Sequence, residues 1–143
     1  MGATMIAARF HHVSLSVADL AAQEAWYGDA LGLTHVDERL EMPEADVRTV
    51  VLSGAAGLRV EFVQRPGSSP AAYDDPFAAT AVQTFTHLAV QVPGLDAAFA
   101  RLTEECGAVP VSPPAPGVTP GMRYAYVADP EGNLIELIEL VGV

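Results

Sequence analysis

His12 and His87 each stand 49 positions ahead of a glutamate, Glu61 and Glu136, and the two pairs are separated by a constant offset of 75 positions. Gly32 and Gly107 keep that offset, as do Gly57 and Gly132. Two imidazole nitrogens and at least two carboxylate oxygens make a mixed N/O donor set. Such a set suits one octahedral divalent cation, Ni, Co, Mn or Fe, and Zn is compatible, with positions left for water or substrate. Open positions imply catalysis rather than a structural role. Taken singly, a strand histidine is ordinarily structural and a strand glutamate ordinarily sits on a solvated face. Their joint recurrence instead points to a duplicated module with a shared metal site at His12, Glu61, His87 and Glu136.

The elements that must position these residues follow from apolar periodicity. Residues 9–17 alternate, with Val13, Leu15 and Val17 on one face and Phe10, His12, Ser14 and Ser16 on the other; residues 85–92 repeat the pattern around His87. Asp19 can cap a helix that runs to Leu31 and stops at Gly32, and in the second copy Leu95, Ala98, Phe99, Leu102 and Cys106 form a helical stripe ending at Gly107. Short β-rich runs follow at 33–38, 47–52 and 58–64, then at 109–111, 123–128 and 134–140, with a proline-rich loop expected over 113–120. The order is βαβββ in each copy. The fold class is therefore α+β, one domain over 1–143 made of modules 9–64 and 85–140, joined by a 65–84 linker long enough to fold over a site.

Within 58–64, Leu58, Val60 and Phe62 share one face and Arg59, Glu61 and Val63 the other, while Glu136 is flanked by Ile135 and Leu137. A carboxylate inside so apolar a strand is costly to bury unless it is paired or holds a cation. Arg123, Tyr124 and Tyr126 precede the Asp129-Pro130 turn and are candidates to orient an anionic substrate, with Arg48 the counterpart of Arg123. Alternation alone leaves open which of them faces the site. His11 falls on the opposite face and reads as structural, Trp26 and Tyr27 read as core, Cys106 as a buried thiol and Asn133 as a turn residue.

The 143 residues are half apolar with 17% charged, a globular composition, and each copy alone is too short for much stability. Eighteen acidic against seven basic residues give a net charge of −11, which argues against nucleic acid and anionic membranes as partners and leaves a small molecule. A single cysteine permits no internal disulfide. Without a basic leader or a long apolar run, the expected location is the cytoplasm.

The segments His12-Val13 with Ser16-Val17-Ala18-Asp19-Leu20, Trp26-Tyr27, Leu31-Gly32-Leu33, His87-Leu88-Ala89-Val90 and Asp129-Pro130-Glu131-Gly132-Asn133-Leu134-Ile135-Glu136-Leu137 resemble the vicinal oxygen chelate superfamily. That group includes glyoxalase I, methylmalonyl-CoA epimerase, extradiol dioxygenases, and fosfomycin and bleomycin resistance proteins. The resemblance implies an open, curved mixed sheet around one divalent cation, and commonly a homodimer. It matches His12, Glu61, His87 and Glu136 to the metal positions, most like bacterial glyoxalase I, and so favours the lyase and isomerase branches. A second catalytic carboxylate of the epimerases falls on Thr49 here. The implied reaction is proton abstraction beside a metal-chelated carbonyl, with enediolate or enolate stabilisation and Glu136 or Glu61 as the base. Two other branches of the resemblance imply an Fe(II) extradiol-type dioxygenase with Glu61 off the metal, or a non-catalytic antibiotic-binding protein.

Overall fold

Val13 and Leu15 are half-buried while Ser14 and Ser16 remain exposed, so β1 (Val13–Ser16) presents the two-residue alternation expected of a strand with one covered face. In the computed structural model, which describes residues 2, 4–71 and 73–142, β1 leads into α1 (Leu20–Leu31), β2 (His35–Met42), a 3-10 turn at Pro43–Ala45, β3 (Val47–Ser53) and β4 (Arg59–Gln64). The Asp19 side chain caps α1 by accepting from Ala22 N, and Gly32 ends it at φ 70°, a conformation that disfavours any residue with a β-carbon. Next come α2 (Pro76–Ala79), β5 (His87–Gln91), α3 (Leu95–Glu104), β6 (Val109–Pro116), β7 (Met122–Ala128) and β8 (Leu134–Leu140). Contacts divide the chain into two compact units, Met1–Ser68 and Ser69–Val143.

Each unit holds one four-stranded mixed sheet, ordered β1-β4-β3-β2 in the first and β5-β8-β7-β6 in the second. The first strand of each copy pairs parallel with the last, and the remaining pairs are antiparallel. This is an α+β fold of two tandem βαβββ modules. The 75-residue offset extends to individual hydrogen bonds. Val17 N donates to Val63 O at 2.9 Å and Val92 N to Ile138 O at 2.8 Å; Leu33 N reaches Tyr27 O at 3.2 Å and Ala108 N reaches Leu102 O at 2.9 Å. Even the first amide of each long helix is met alike, Leu20 N by Gln64 Oε1 at 2.7 Å and Leu95 N by Glu139 Oε1 at 3.4 Å.

Each core lies between one face of the sheet and its helix. In the first unit α1 packs on β3 and β4, burying Leu20, Tyr27, Val50, Leu52, Val60 and Phe62, with the Tyr27 and Phe62 rings 4.9 Å apart. In the second, α3 covers β6, β7 and β8 over Leu95, Leu102, Ala125, Val127, Ile135 and Leu137. The opposite faces carry Glu61 and Glu136 together with apolar neighbours such as Val51 and Leu134.

Several elements differ from the sequence reading. β6 continues to Pro116 through what reads as a proline-rich loop, because it is an edge strand with register shifts around Ser112, where a residue lacking an amide proton loses no ladder bond on its open side. β2 is exposed along its length and runs to Met42, held by pairing to β3 rather than by burial. The 65–84 stretch contains α2, begun by the Asp75 side chain accepting from Ala78 N. Cys106 lies beyond the end of α3 and is only half-buried, its Sγ receiving the Arg101 guanidinium at 3.2 Å, because the helix closes before the apolar stripe does. Trp26 is half-buried at the edge of buried Tyr27.

Because Phe62 is fully buried against Tyr27, truncation to alanine in Phe62→Ala removes a ring that the surrounding strand and helix cannot replace. Chemical denaturation of that variant is expected to show a loss of about 3–5 kcal/mol.

Candidate functional site

In the second unit the parallel pairing of β5 with β8 puts Ala89 beside Glu136, and the antiparallel pairing of β7 with β8 puts Tyr126 on the other side of Glu136. His87 shares the face of Ala89 two residues earlier, so imidazole, carboxylate and phenol meet on the side of the sheet away from α3. His87 Nε2 lies 3.0 Å from Glu136 Oε2. The Thr86 hydroxyl is 2.8 Å from His87 Nδ1, a contact in which either partner can donate according to the ring tautomer, and it leaves Nε2 to face the carboxylate. Tyr126 meets the His87 ring edge-on at 5.3 Å and the Tyr124 ring at 6.0 Å. Burial first, then the adjacent Glu136 carboxylate, push the Tyr126 phenol up to about 12. It is a protonated donor at neutral pH.

The first unit repeats the frame with different neighbours. Glu61 stands between Ser14 of β1 and Val51 of β3, and His12 Nε2 approaches Glu61 Oε1 to 3.9 Å. Ser14 Oγ donates to the same oxygen at 2.8 Å. His12 Nδ1 is 2.7 Å from His11 Nδ1, so His11 takes the place that Thr86 has beside His87. His11 is thereby drawn to the ligand candidate, not confined to a separate structural role.

Arg123 does not join Tyr124 and Tyr126. It points to the α3 side of the sheet, where both oxygens of Asp96 take its guanidinium at 3.0 Å and Glu139 Oε2 lies at 3.2 Å. Those hydrogen bonds, and then the charge of Arg123, hold the Asp96 carboxyl below the ordinary carboxylate range. The alternation that the sequence leaves unresolved thus separates the arginine from the two tyrosines. The arginine is committed to fastening β7 and β8 to α3.

The donor chemistry of each pair fits a first-row divalent cation: one imidazole nitrogen and one carboxylate, on adjacent strands, with side chains 15–32% exposed and so open to a small molecule. Within either unit, among the described residues, no third histidine, cysteine or acidic side chain completes such a group. Each pair alone supplies fewer than the three or four protein donors that zinc sites take. Sequence reasoning missed three members, His11, Thr86 and Ser14. His11 and Thr86 share the position just ahead of a ligand candidate at the 75-residue offset, but that spacing does not encode the ring contact each makes.

No curated protein sequence matches the chain. Solved structures do share its fold: a glyoxalase family protein from Enterococcus faecalis superposes with a TM-score of 0.76 at 21% identity, covering 94% of this chain and 100% of that one. A glyoxalase I from Leishmania major, described as trypanothione-dependent, gives 0.68 at 20% identity over 93% and 87%. A genomically encoded fosfomycin resistance protein from Listeria monocytogenes gives 0.69 at 21% identity over 93% of each. The model of one family matches residues 9–137, from ahead of His12 to just past Glu136. The chain belongs to the glyoxalase/bleomycin resistance protein/dioxygenase superfamily.

Proposed function

We propose that this protein is a metal-dependent lyase or isomerase that removes a proton from the carbon beside a carbonyl in a small molecule with neighbouring oxygens. The observation that supports this reading is the recurrence of one His–Glu pair at the same register position of both sheets, 3.0 Å apart in one and 3.9 Å in the other. Nothing in a packed core requires a carboxylate there twice. In the proposal the two pairs are gathered into one site, within a chain or across a cytoplasmic homodimer. A divalent cation held by His12, Glu61, His87 and Glu136 would supply Lewis-acid polarisation of the carbonyl.

The remaining work falls to the chain. Glu136 accepts the proton at Oε2 and returns it to the same or the neighbouring carbon, while Tyr126, neutral and on the same face, donates a hydrogen bond toward the carboxylate or a substrate oxygen. Tyr124 gives that end an aromatic wall. Glu61, which accepts a hydrogen bond from Ser14, balances charge. That same hydrogen bond favours a second reading in which Glu61 stays off the cation, leaving two histidines and Glu136 as the facial set of an Fe(II) oxygenase.

Calorimetric titration of the chain with Ni²⁺, Co²⁺, Mn²⁺, Fe²⁺ and Zn²⁺ separates these. Both His12→Ala and His87→Ala should weaken uptake by about tenfold or more. Glu61→Gln should weaken it comparably in the lyase reading and leave it unchanged in the oxygenase reading. With an α-hydroxycarbonyl or thioester substrate that the protein turns over, Glu136→Gln should lower kcat by about 100-fold or more while substrate affinity stays within about threefold. Retention of full turnover removes Glu136 as the base.

Alkaline titration tests Tyr126 separately. Its folded pKa of about 12 lies above the ordinary phenol value near 10, so the stability it contributes is whole below about pH 10 and is lost as pH rises through 12. Phenolate absorbance should show one tyrosine ionising near pH 12 that Tyr126→Phe lacks, and that variant should lose part of the stability slope above pH 10.

A further inference from the structure

We infer that the first unit carries an anion site at Arg48, remote from the His–Glu face, that binds a small free carboxylate. The repeat itself shows what belongs there. Arg48 and Arg123 hold the same place in their sheets, directly across the ladder from Gln64 and Glu139. Around Arg123 that place is filled by two carboxylates, Asp96 through both oxygens and Glu139 through one. Around Arg48 both are gone. The position of Asp96 is Ala21, and Gln64 has given its Oε1 to Leu20 N, leaving only its NH₂ to offer.

The exposed Arg48 guanidinium makes no hydrogen bond or ion pair among the described residues, and neither does the NH₂ of Gln64. Beside Ala21, where the second unit has Asp96, lies a pocket of about 140 Å³ whose walls include Asp19, Glu24, Arg39, Glu41, Arg48 and Gln64, the Asp19 carboxylate being engaged by Ala22 N. Glu24 is already bound to Arg39 at 2.6 and 3.1 Å, which neutralises that side of the pocket. Two uncommitted donors therefore share a cavity in which the sister unit places a carboxylate. The planar guanidinium fork matches a planar two-oxygen anion, and a tetrahedral dianion would meet the acidic walls with twice the charge. Glu41, across the ladder from Arg48, is the internal competitor.

The test is an NMR titration of the full chain with sodium acetate and sodium lactate against sodium chloride at constant ionic strength. Saturable shifts are expected for the Ala21 amide and the Arg48 and Gln64 side-chain signals with the carboxylates and not with chloride. Arg48→Gln should weaken the response by about tenfold. Glu41→Gln should tighten it. Ala21→Asp, which rebuilds the arrangement of the second unit, should abolish it and raise the Tm, so that a folded variant reports on occupancy of the pocket. Metal uptake should stay unchanged in all three. Equal shifts with chloride, a response that survives Arg48→Gln or Ala21→Asp, or preference for sulfate or phosphate would overturn the site. Shifts of the same signals that grow with protein concentration without added anion would assign the carboxylate to another copy of the chain and overturn binding of a free ligand.

Discussion

The parallel ladder between the first and last strand of each unit is the constraint on which the candidate site depends. β1 and β4 cannot pair parallel unless the chain crosses over through α1, and the crossover assigns one sheet face to the helix and frees the other. The register Ser14 with Glu61, and Ala89 with Glu136, then decides which face receives the carboxylate. A slip of one residue would turn both glutamates into the apolar core and turn Phe62 and Leu137 out of it. Packing of the core and placement of the donors are the same structural decision. That is why an apolar strand can carry an acidic residue in its middle in both copies.

The two units keep the skeleton and diverge in what surrounds it. Beside Glu136 stands Tyr126, a neutral phenol, whereas beside Glu61 stands Val51, with Ser14 supplying the hydrogen bond instead. His12 is steadied by an imidazole and His87 by a hydroxyl. Arg123 is fastened by two carboxylates, and its counterpart Arg48 by none. One copy thus puts a phenol next to its carboxylate and the other a serine hydroxyl, so the two carboxylates share a register position but not a neighbourhood. No helix among the described residues is long and apolar enough to cross a membrane.

Much of this was legible in the sequence because duplication doubles each weak signal. The strands bearing His12, Glu61, His87 and Glu136, the helix cap at Asp19 and the stop at Gly32 all follow from local pattern, and the structure has two βαβββ units with the strand order repeated. What failed was context. Edge position rescues the prolines of β6, which local propensity reads as a loop. Two-residue periodicity groups Tyr124 with Tyr126 and separates Arg123, but it cannot name the face that meets the helix until Asp96 of α3 is found on Arg123. The roles of His11 and Thr86 depend on ring rotation about the next residue's side chain, which no spacing encodes.

The central claim is that the two His–Glu pairs serve one cation, and X-ray absorption at the metal edge of Ni²⁺- or Zn²⁺-loaded protein, combined with metal-to-chain stoichiometry, addresses it most directly. The account predicts one ion for every two pairs, with scattering from two imidazoles and the balance from oxygen. Two ions per chain with one imidazole each, or oxygen-only coordination, would contradict it.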